Sequence, residues 1–465
     1  MKKIILLIML CLAVPADAGV YKKKIKSKVK YALKQTKGKL RTIKHKQINK
    51  RKKRNLTKKT KKRIIAAHKY LAANAPHVLE GKQKKGYEVR VLLEKLSKPD
   101  KNKTWTLKLE SKKGFIVQQS EKHSKKILIR NNSIYLSVDN NNLFIKTATT
   151  SPRKINGNSI IFSPLSNYSV LNGTPYEGYI YIYPRKNKAP CVINKINLDD
   201  YIYSVLRSEI YQSWPDEMQK VQAVTSRTYA MHHIFNSREK NKIYDIRSTG
   251  AHQNYKGYHP YTHLRKAVQE TENLILTHNK KPALTMFDIC CGGSTPANIK
   301  GLNFDKAPYL ARQQSCNYCK NYNLYRWNKE INLNEFMNNL KSHKKLSNYI
   351  SHIGKLQEIK IAEKDKGGIV HKLRIKGSKR SIICSGRTLI ESVGDKIKSL
   401  SFNLKEIKKN NSSKNLLFTG KGFGHQIGLC QRGAYTLVKK GWDFKEILSF
   451  YFPKTKFAQI NRIKG

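Results

Sequence analysis

The chain has 465 residues, a formal net charge of +63 at pH 7 and eight cysteines. Its length suggests two or three domains. Its apolar content of 39% suits a real core, and no stretch after the first eighteen residues is apolar enough to span a membrane, which excludes a bundle of helical spans. The charge calls for an anionic partner or surface, such as nucleic acid, lipid headgroups or an acidic wall polymer. A bias toward Lys, Asn and Ile along the whole chain accounts for part of it.

Residues 1–18 have the layout of a secretory signal. Lys2 and Lys3 precede an apolar run over 4–14, and Ala16-Asp17-Ala18 forms a small-x-small cleavage site. The mature protein is therefore expected to be exported, to a periplasm or a cell wall, or to stay tethered if the signal is not cut. Residues 19–84 follow. No acidic residue occurs over 19–78, and clusters such as Arg51-Lys52-Lys53-Arg54 repel themselves. This reads as a disordered basic arm, either holding an anionic wall or membrane face or serving as a solvated linker.

From residue 85 to 195 the pattern is β-rich. Short alternating or apolar runs fall at 87–93, 104–109, 114–118, 127–130, 133–138, 142–146 and 178–183, separated by Asn, Lys and Gly. Helices then take over. Asn197 can cap a helix with Asp199 and Asp200 in its first turn. Ser213 is placed to cap the next, with Pro215 near its first position and Met218, Val221, Val224, Thr228 and Met231 on an apolar face. An insertion at about 320–380 holds a short polar helix over 334–345 and a hairpin turning at Gly367-Gly368. A glycine-dense loop, 420–428, opens a helix over 429–440. Asp443 and Glu446 make a capping box for the last helix. The fold class expected is α+β: a β-rich N-terminal part, a helical segment and a further mixed part, the last two within 196–460.

Glu209 is the side chain that points to chemistry. It falls between the first two helices, at the end of the first, where unpaired carbonyls press a carboxyl toward its neutral form. Burial beside Tyr211 and Trp214 would act the same way. A raised acid suits protonation of a glycosidic oxygen. The competing reading is an ordinary salt bridge to Lys220 or Arg227, which would hold Glu209 ionised. Ordinary glycosidases flank the bond with two carboxylates. Here only one is apparent, because Asp216 and Glu217 are explained as first-turn helix charges.

Cys290, Cys291, Cys316 and Cys319 cluster in sequence, and Cys316-Asn317-Tyr318-Cys319 has metal-ligand spacing. Structural zinc and a disulfide both fit an exported protein. Because adjacent cysteines seldom share one ion, three thiolates with His or water is one form of the zinc site. Cys191, Cys384 and Cys430 are expected to be small buried apolar residues.

Several motifs in order resemble one family. Ser208-Glu209-Ile210, Ser213-Trp214-Pro215, Gln222-Ala223-Val224 and Arg227-Thr228-Tyr229-Ala230 resemble the signature of the SpoIID/LytB family (stage II sporulation protein D). So do Gln253-x-Tyr255-x-Gly257, Gly292-Gly293-Ser294-Thr295 and the run from Gly422 to Ala434, which includes His425 and Gln431. The resemblance spans about residues 85–460. It implies a peptidoglycan lytic transglycosylase that cuts between MurNAc and GlcNAc, closes a 1,6-anhydro ring and prefers strands stripped of stem peptides. One carboxylate then suffices, because the sugar supplies its own nucleophile. Glu209 carries over as acid and then base, and no metal is required for catalysis. Lys220, Arg227, Gln253, Tyr255, His425 and Gln431 carry over as candidates for binding glycan or orienting Glu209. The resemblance also lends some support to zinc at the cysteines. The alternative within the family is a non-catalytic glycan-binding activator of an N-acetylmuramoyl-L-alanine amidase. Departures include Ile210-Tyr211 for Met-Pro, Gln426 for Gly and Cys430 for a small residue. A specific nucleic-acid partner is not expected, given the export signal and the lack of a binding motif.

Overall fold

The computed structural model describes residues 86–462, apart from 95–103, 120–125, 140–141, 156–158, 187, 301–303 and 411–412. The signal and the whole of the basic arm lie outside the described residues.

Alternation in the sequence becomes two sheets. In Glu88–Leu93, Val89, Val91 and Leu93 are buried while their neighbours are half-buried, as period-two geometry dictates. The first sheet has seven strands in the order Ile246–Arg247, Glu88–Leu93, Cys191–Asn197, Tyr179–Tyr183, Ile160–Pro164, Phe115–Gln119 and Ile127–Ile129. Its pairs are antiparallel except for Ile246–Arg247, which runs parallel to Glu88–Leu93. The second has six strands in the order Thr174–Glu177, Tyr168–Leu171, Trp105–Glu110, Ser133–Asp139, Asn142–Lys146 and Arg153–Ile155. Buried side chains of both sheets belong to one apolar cluster, which continues into the helices.

Eight helices occur among the described residues: α1 (Leu198–Glu209), α2 (Asp216–Glu239), α3 (Thr262–Glu270), α4 (Leu333–Ser342), α5 (Ser347–Ser351), α6 (Gly386–Val393), α7 (Gln431–Lys439) and α8 (Phe444–Tyr451). The molecule is thus α+β with a β-rich N-terminal part. The strand Cys191–Asn197 passes straight into α1, and the Asn197 side chain accepts from the Asp199 N–H at 2.9 Å, as its cap position predicts. The capping box of α8 forms with both of its hydrogen bonds. At α2 the expectation changes. Pro215, not Ser213, occupies the cap position, and no side chain caps the helix.

α2 is also buried on nearly every face, not along one apolar stripe. Several of its polar side chains are satisfied inside, although the buried His233 Nε2 has no hydrogen-bond partner among the described residues. Thr225 and Thr228 donate to the Val221 and Val224 carbonyls, each at 2.7 Å, and Gln222 donates to Ser226 at 3.0 Å. It packs on α1, α3, α7, α8 and the strand Leu274–His278. This central position makes it the support for whatever α1 presents.

A second apolar cluster runs from Trp327 to Phe418, further along the chain than the stretch of about 320–380 expected as an insertion. It holds α4, α5, α6 and two three-stranded sheets. The expected hairpin is present as Leu356–Lys364 paired with Val370–Gly377. The strands Phe402–Asn410 and Ser413–Lys421 complete this part. Trp327 ties it back to the glycine loop by donating Nε1–H to the Gly422 carbonyl at 2.8 Å.

Candidate active site

Glu209 is the last residue of α1, and the Ile210 N–H closes the helix onto the Leu206 carbonyl at 3.2 Å. Helix ends leave carbonyls unpaired. Here the Gln431 side chain, at the start of α7, takes one of them. Its Nε2 donates to the Glu209 carbonyl at 3.0 Å and to Gln222 Oε1 at 3.1 Å. Gln431 is buried, so it fixes the end of α1 against α2 and contacts Glu209 through the backbone only. Of the two roles open to it, orienting Glu209 or binding glycan, its contacts fit the positioning one.

The Glu209 carboxyl is half-buried and accepts the Asn254 N–H at 2.6 Å. Burial raises its pKa above the ordinary value, while Asn254 and the positive charge of Lys256 oppose the rise. The net direction is upward, which suits a proton donor.

The two cations expected beside it are elsewhere. Lys220 pairs with Glu217 and Glu270, both at 2.8 Å. Arg227 is fully buried, with Nε on Asp199 at 2.9 Å, Nη2 on the Val268 carbonyl at 3.1 Å, and Nη1 on Thr271 and the Leu274 carbonyl at 3.3 and 3.4 Å. Neither hydrogen-bonds Glu209. Arg227 is inaccessible to glycan, so its expected substrate role gives way to an architectural one.

The loop after α2 corrects two more expectations. Residues 253–259 alternate in burial: Gln253, Tyr255, Gly257 and His259 are buried, whereas Asn254, Lys256 and Tyr258 are not. Gln253 is held by Tyr201 at 3.0 Å, and Tyr255 donates to Asn194 at 2.5 Å. The motif residues anchor the loop, and the residues between them meet Glu209. Asn254 and Lys256 were missed because they fall at the unspecified positions of the motif. No local spacing singles them out, since the contact of Asn254 with Glu209 spans 45 positions.

The glycine loop leads into α7 and Gln431. His425 has exposed surface as a residue, and its Nδ1 accepts the Ile427 N–H at 3.1 Å. Its imidazole turns inward onto the Phe287 backbone, and burial lowers its pKa to about 4, so it stays neutral near pH 7. Gln426 stands where the resembled motif has glycine and takes φ of +64°, the left-handed region. Its side chain holds it there, accepting from Ser294 at 3.0 Å and donating to the Lys421 carbonyl at 2.6 Å, while Asp288 accepts its N–H. Gly428 has φ of +75°, and a Cβ there would lie 2.0 Å from the Met286 carbonyl oxygen. Gly428→Ala is expected to lower stability by at least about 2 kcal/mol, from overpacking plus left-handed strain. Thermal melting against wild type checks this, and an unchanged midpoint would refute the assigned backbone.

Four thiols gather behind this loop, but not the four adjacent in sequence. The Sγ atoms of Cys291, Cys316, Cys319 and Cys430 all lie within 4.8 Å of one another and are buried. Cys290 is outside this group, its backbone paired with Phe423 at 2.7 and 3.1 Å. Cys430, expected to be merely apolar, takes its place. Cys291 Sγ and Cys319 Sγ are 3.7 Å apart, close to the roughly 3.8 Å edge of a tetrahedron with 2.3 Å metal–sulfur bonds and far from a disulfide's roughly 2.05 Å. Cys430 Sγ also accepts the Cys291 and Gly433 N–H groups at 3.3 and 3.4 Å, contacts that would also serve a metal-bound sulfur. The four thiols can hold a metal ion, and Cys430 directly precedes Gln431.

The sequence that builds this α+β frame is similar to those of known proteins. Residues 186–278 match the family described as stage II sporulation protein, and residues 301–428 match a domain of unknown function. An uncharacterised protein of Brachyspira hyodysenteriae is 31% identical over 310 residues, covering 65% of this chain and 77% of that protein. Stage II sporulation protein D of Bacillus subtilis is 26% identical over 283 residues, covering 58% of this chain and 76% of its own. An amidase enhancer of B. subtilis is 24% identical over 342 residues, covering 65% of this chain and 47% of its own. The chain belongs to the SpoIID/LytB family, that of stage II sporulation protein D.

Proposed function

We propose that this protein is an exported lytic transglycosylase that cuts peptidoglycan between MurNAc and GlcNAc with Glu209 as its acid and base. The observation that carries the reading is the Glu209 carboxyl: half-buried, raised in pKa, fixed by the Asn254 N–H, and without a salt bridge among the described residues. Protonated Glu209 gives its proton to the oxygen leaving C1 of MurNAc. The resulting carboxylate takes the proton of the C6 hydroxyl as O6 bonds to C1. One bond breaks, one ring closes, and the carboxyl ends the cycle protonated once more. Lys256, exposed and with its charge acting on Glu209, is a polar group available to glycan beside this chemistry. The test is incubation of the purified protein with glycan strands, intact or stripped of peptides. Products ending in 1,6-anhydro-MurNAc, detected by mass spectrometry, are expected. Ordinary reducing ends would point instead to hydrolysis.

A second reading follows from the amidase enhancer relative: a glycan-binding activator of an N-acetylmuramoyl-L-alanine amidase. It gains if the protein cuts no glycan but accelerates such an amidase on purified walls. The leader over 1–18 motivates export, and the basic arm is proposed to hold an anionic wall or membrane face.

The thiol cluster is proposed to bind structural zinc, which would pin the glycine loop and α7 behind Glu209. Cys430→Ser is expected to lose most bound metal, whereas Cys290→Ser keeps about one ion per chain. Elemental analysis of the purified variants distinguishes them. Equal metal loss in both would return Cys290 to the ligand set.

A further inference from the structure

Arg432, next to the Gln431 that holds Glu209, occupies an unusual setting. Its guanidinium carbon lies 4.4 Å from the Tyr322 ring centroid, 4.9 Å from that of Tyr211 and 5.3 Å from that of Trp214. Tyr211 and Trp214 contact each other at 5.4 Å, and Trp214 stacks on Tyr435 at 5.3 Å. Aromatic faces stabilise a cation electrostatically, but they leave its charge unneutralised. Among the described residues no carboxylate pairs with Arg432, and its buried Nε has no hydrogen-bond partner. Tyr211, two residues beyond Glu209, is 59% exposed, unusual for a large aromatic ring.

A guanidinium paired with no carboxylate, whose one side-chain hydrogen bond is shared with Tyr322, fits a carboxylate through its remaining N–H donors. An exposed ring offers a flat apolar face to the C–H face of a pyranose. Both stand on the supports that hold Glu209: Tyr211 on the chain leaving α1, Arg432 on α7. We infer that Arg432, framed by Tyr211, Trp214 and Tyr322, is a subsite for a carboxylate-bearing sugar next to the scissile bond. Tyr211 packs on the ring and Arg432 takes the carboxylate. The inference rests on the glycan-cleaving reading and deepens it. Of the two alternating sugars, only MurNAc bears an acid, through its lactyl group. That carboxylate is free on a stripped strand. On a substituted strand it is an amide, and the carboxylates belong to the stem peptide. Arg432 and Tyr211 fall where the family signature is unspecified or reads Pro, so the subsite belongs to this chain's own sequence.

The test measures binding in the Glu209→Gln background, so that cleavage does not interfere. Three probes are used: stripped glycan fragments, the same fragments with lactyl groups converted to methylamides, and fragments with stem peptides. The stripped fragments are expected to bind about ten-fold tighter than the methylamides, the size of one charge-assisted hydrogen bond. Adding Arg432→Gln should erase that difference, and Arg432→Lys should restore part of it. Adding Tyr211→Ala should weaken all three probes. If Arg432→Gln instead selectively weakens the peptide-bearing fragments, the carboxylate is the peptide's and the sugar subsite is overturned. Equal binding of all probes, with or without Arg432, overturns the inference even if wild type cuts glycan. Carboxylate-dependent binding by a wild type that cuts nothing would preserve the subsite and sink the catalytic reading.

Discussion

Glu209→Gln is expected to lower glycan cleavage by about a thousand-fold, a typical worth for a general acid and base, while leaving glycan binding within a few-fold of wild type. Gln keeps the size and the carbonyl oxygen that accepts the Asn254 N–H but has no proton to give. Product release measured by mass spectrometry, with binding measured in parallel, checks both halves. Cleavage by the variant at the wild-type rate would show that another group is the acid. The pH dependence follows from the direction of the shift. Burial raises the Glu209 pKa, so its acid form persists above the ordinary carboxylate range. Cleavage should decline as pH rises through that raised value. The same shift bears on stability. A group raised on folding contributes most below its unfolded pKa, and that contribution is lost as pH rises through the folded one. Glu209→Gln removes a half-buried carboxylate at neutral pH, so its melting temperature there should be no lower than wild type's. A lower melting temperature would mean that the ionised carboxylate helps to hold the fold.

Arg227→Met carries the largest expected loss of stability, about 3 kcal/mol or more. The guanidinium is fully buried and spends its donors on three elements: Asp199 in the first turn of α1, Val268 and Thr271 at the end of α3, and Leu274 at the start of a strand. Removing it leaves buried acceptors without donors and a partly exposed carboxylate without its partner. Arg227→Lys should recover little, because an ammonium cannot reach acceptors spread around a planar fork. Thermal melting followed by circular dichroism measures the loss. Activity separates this role from glycan binding. At temperatures where the variant stays folded, its KM should match that of wild type. A raised KM in a fully folded variant would restore Arg227 to the glycan.

The strands were legible because alternation is local: Val89, Val91 and Leu93 turn inward by spacing alone. Helix starts were legible where a cap bonds its own first turn, as at Asn197 and Asp443. Ser213 failed because Pro215 already fixes the start of α2. The second apolar cluster was only partly legible. Its strands, such as Phe402–Asn410, are rich in Lys and Asn and show little periodicity.

What the sequence determined by itself was an α+β chain with a large positive charge and one carboxylate at a helix end. Those follow from composition and from contacts within a few residues. The tertiary structure decided which neighbours that carboxylate has. Gln431 reaches Glu209 across 222 positions and Asn254 across 45, so no local spacing encodes either contact. It also buried Arg227 and Gln253, and it brought Cys430 to three distant thiols. Burial and long-range pairing depend on how whole elements pack, and a side chain's identity is compatible with either outcome until they do.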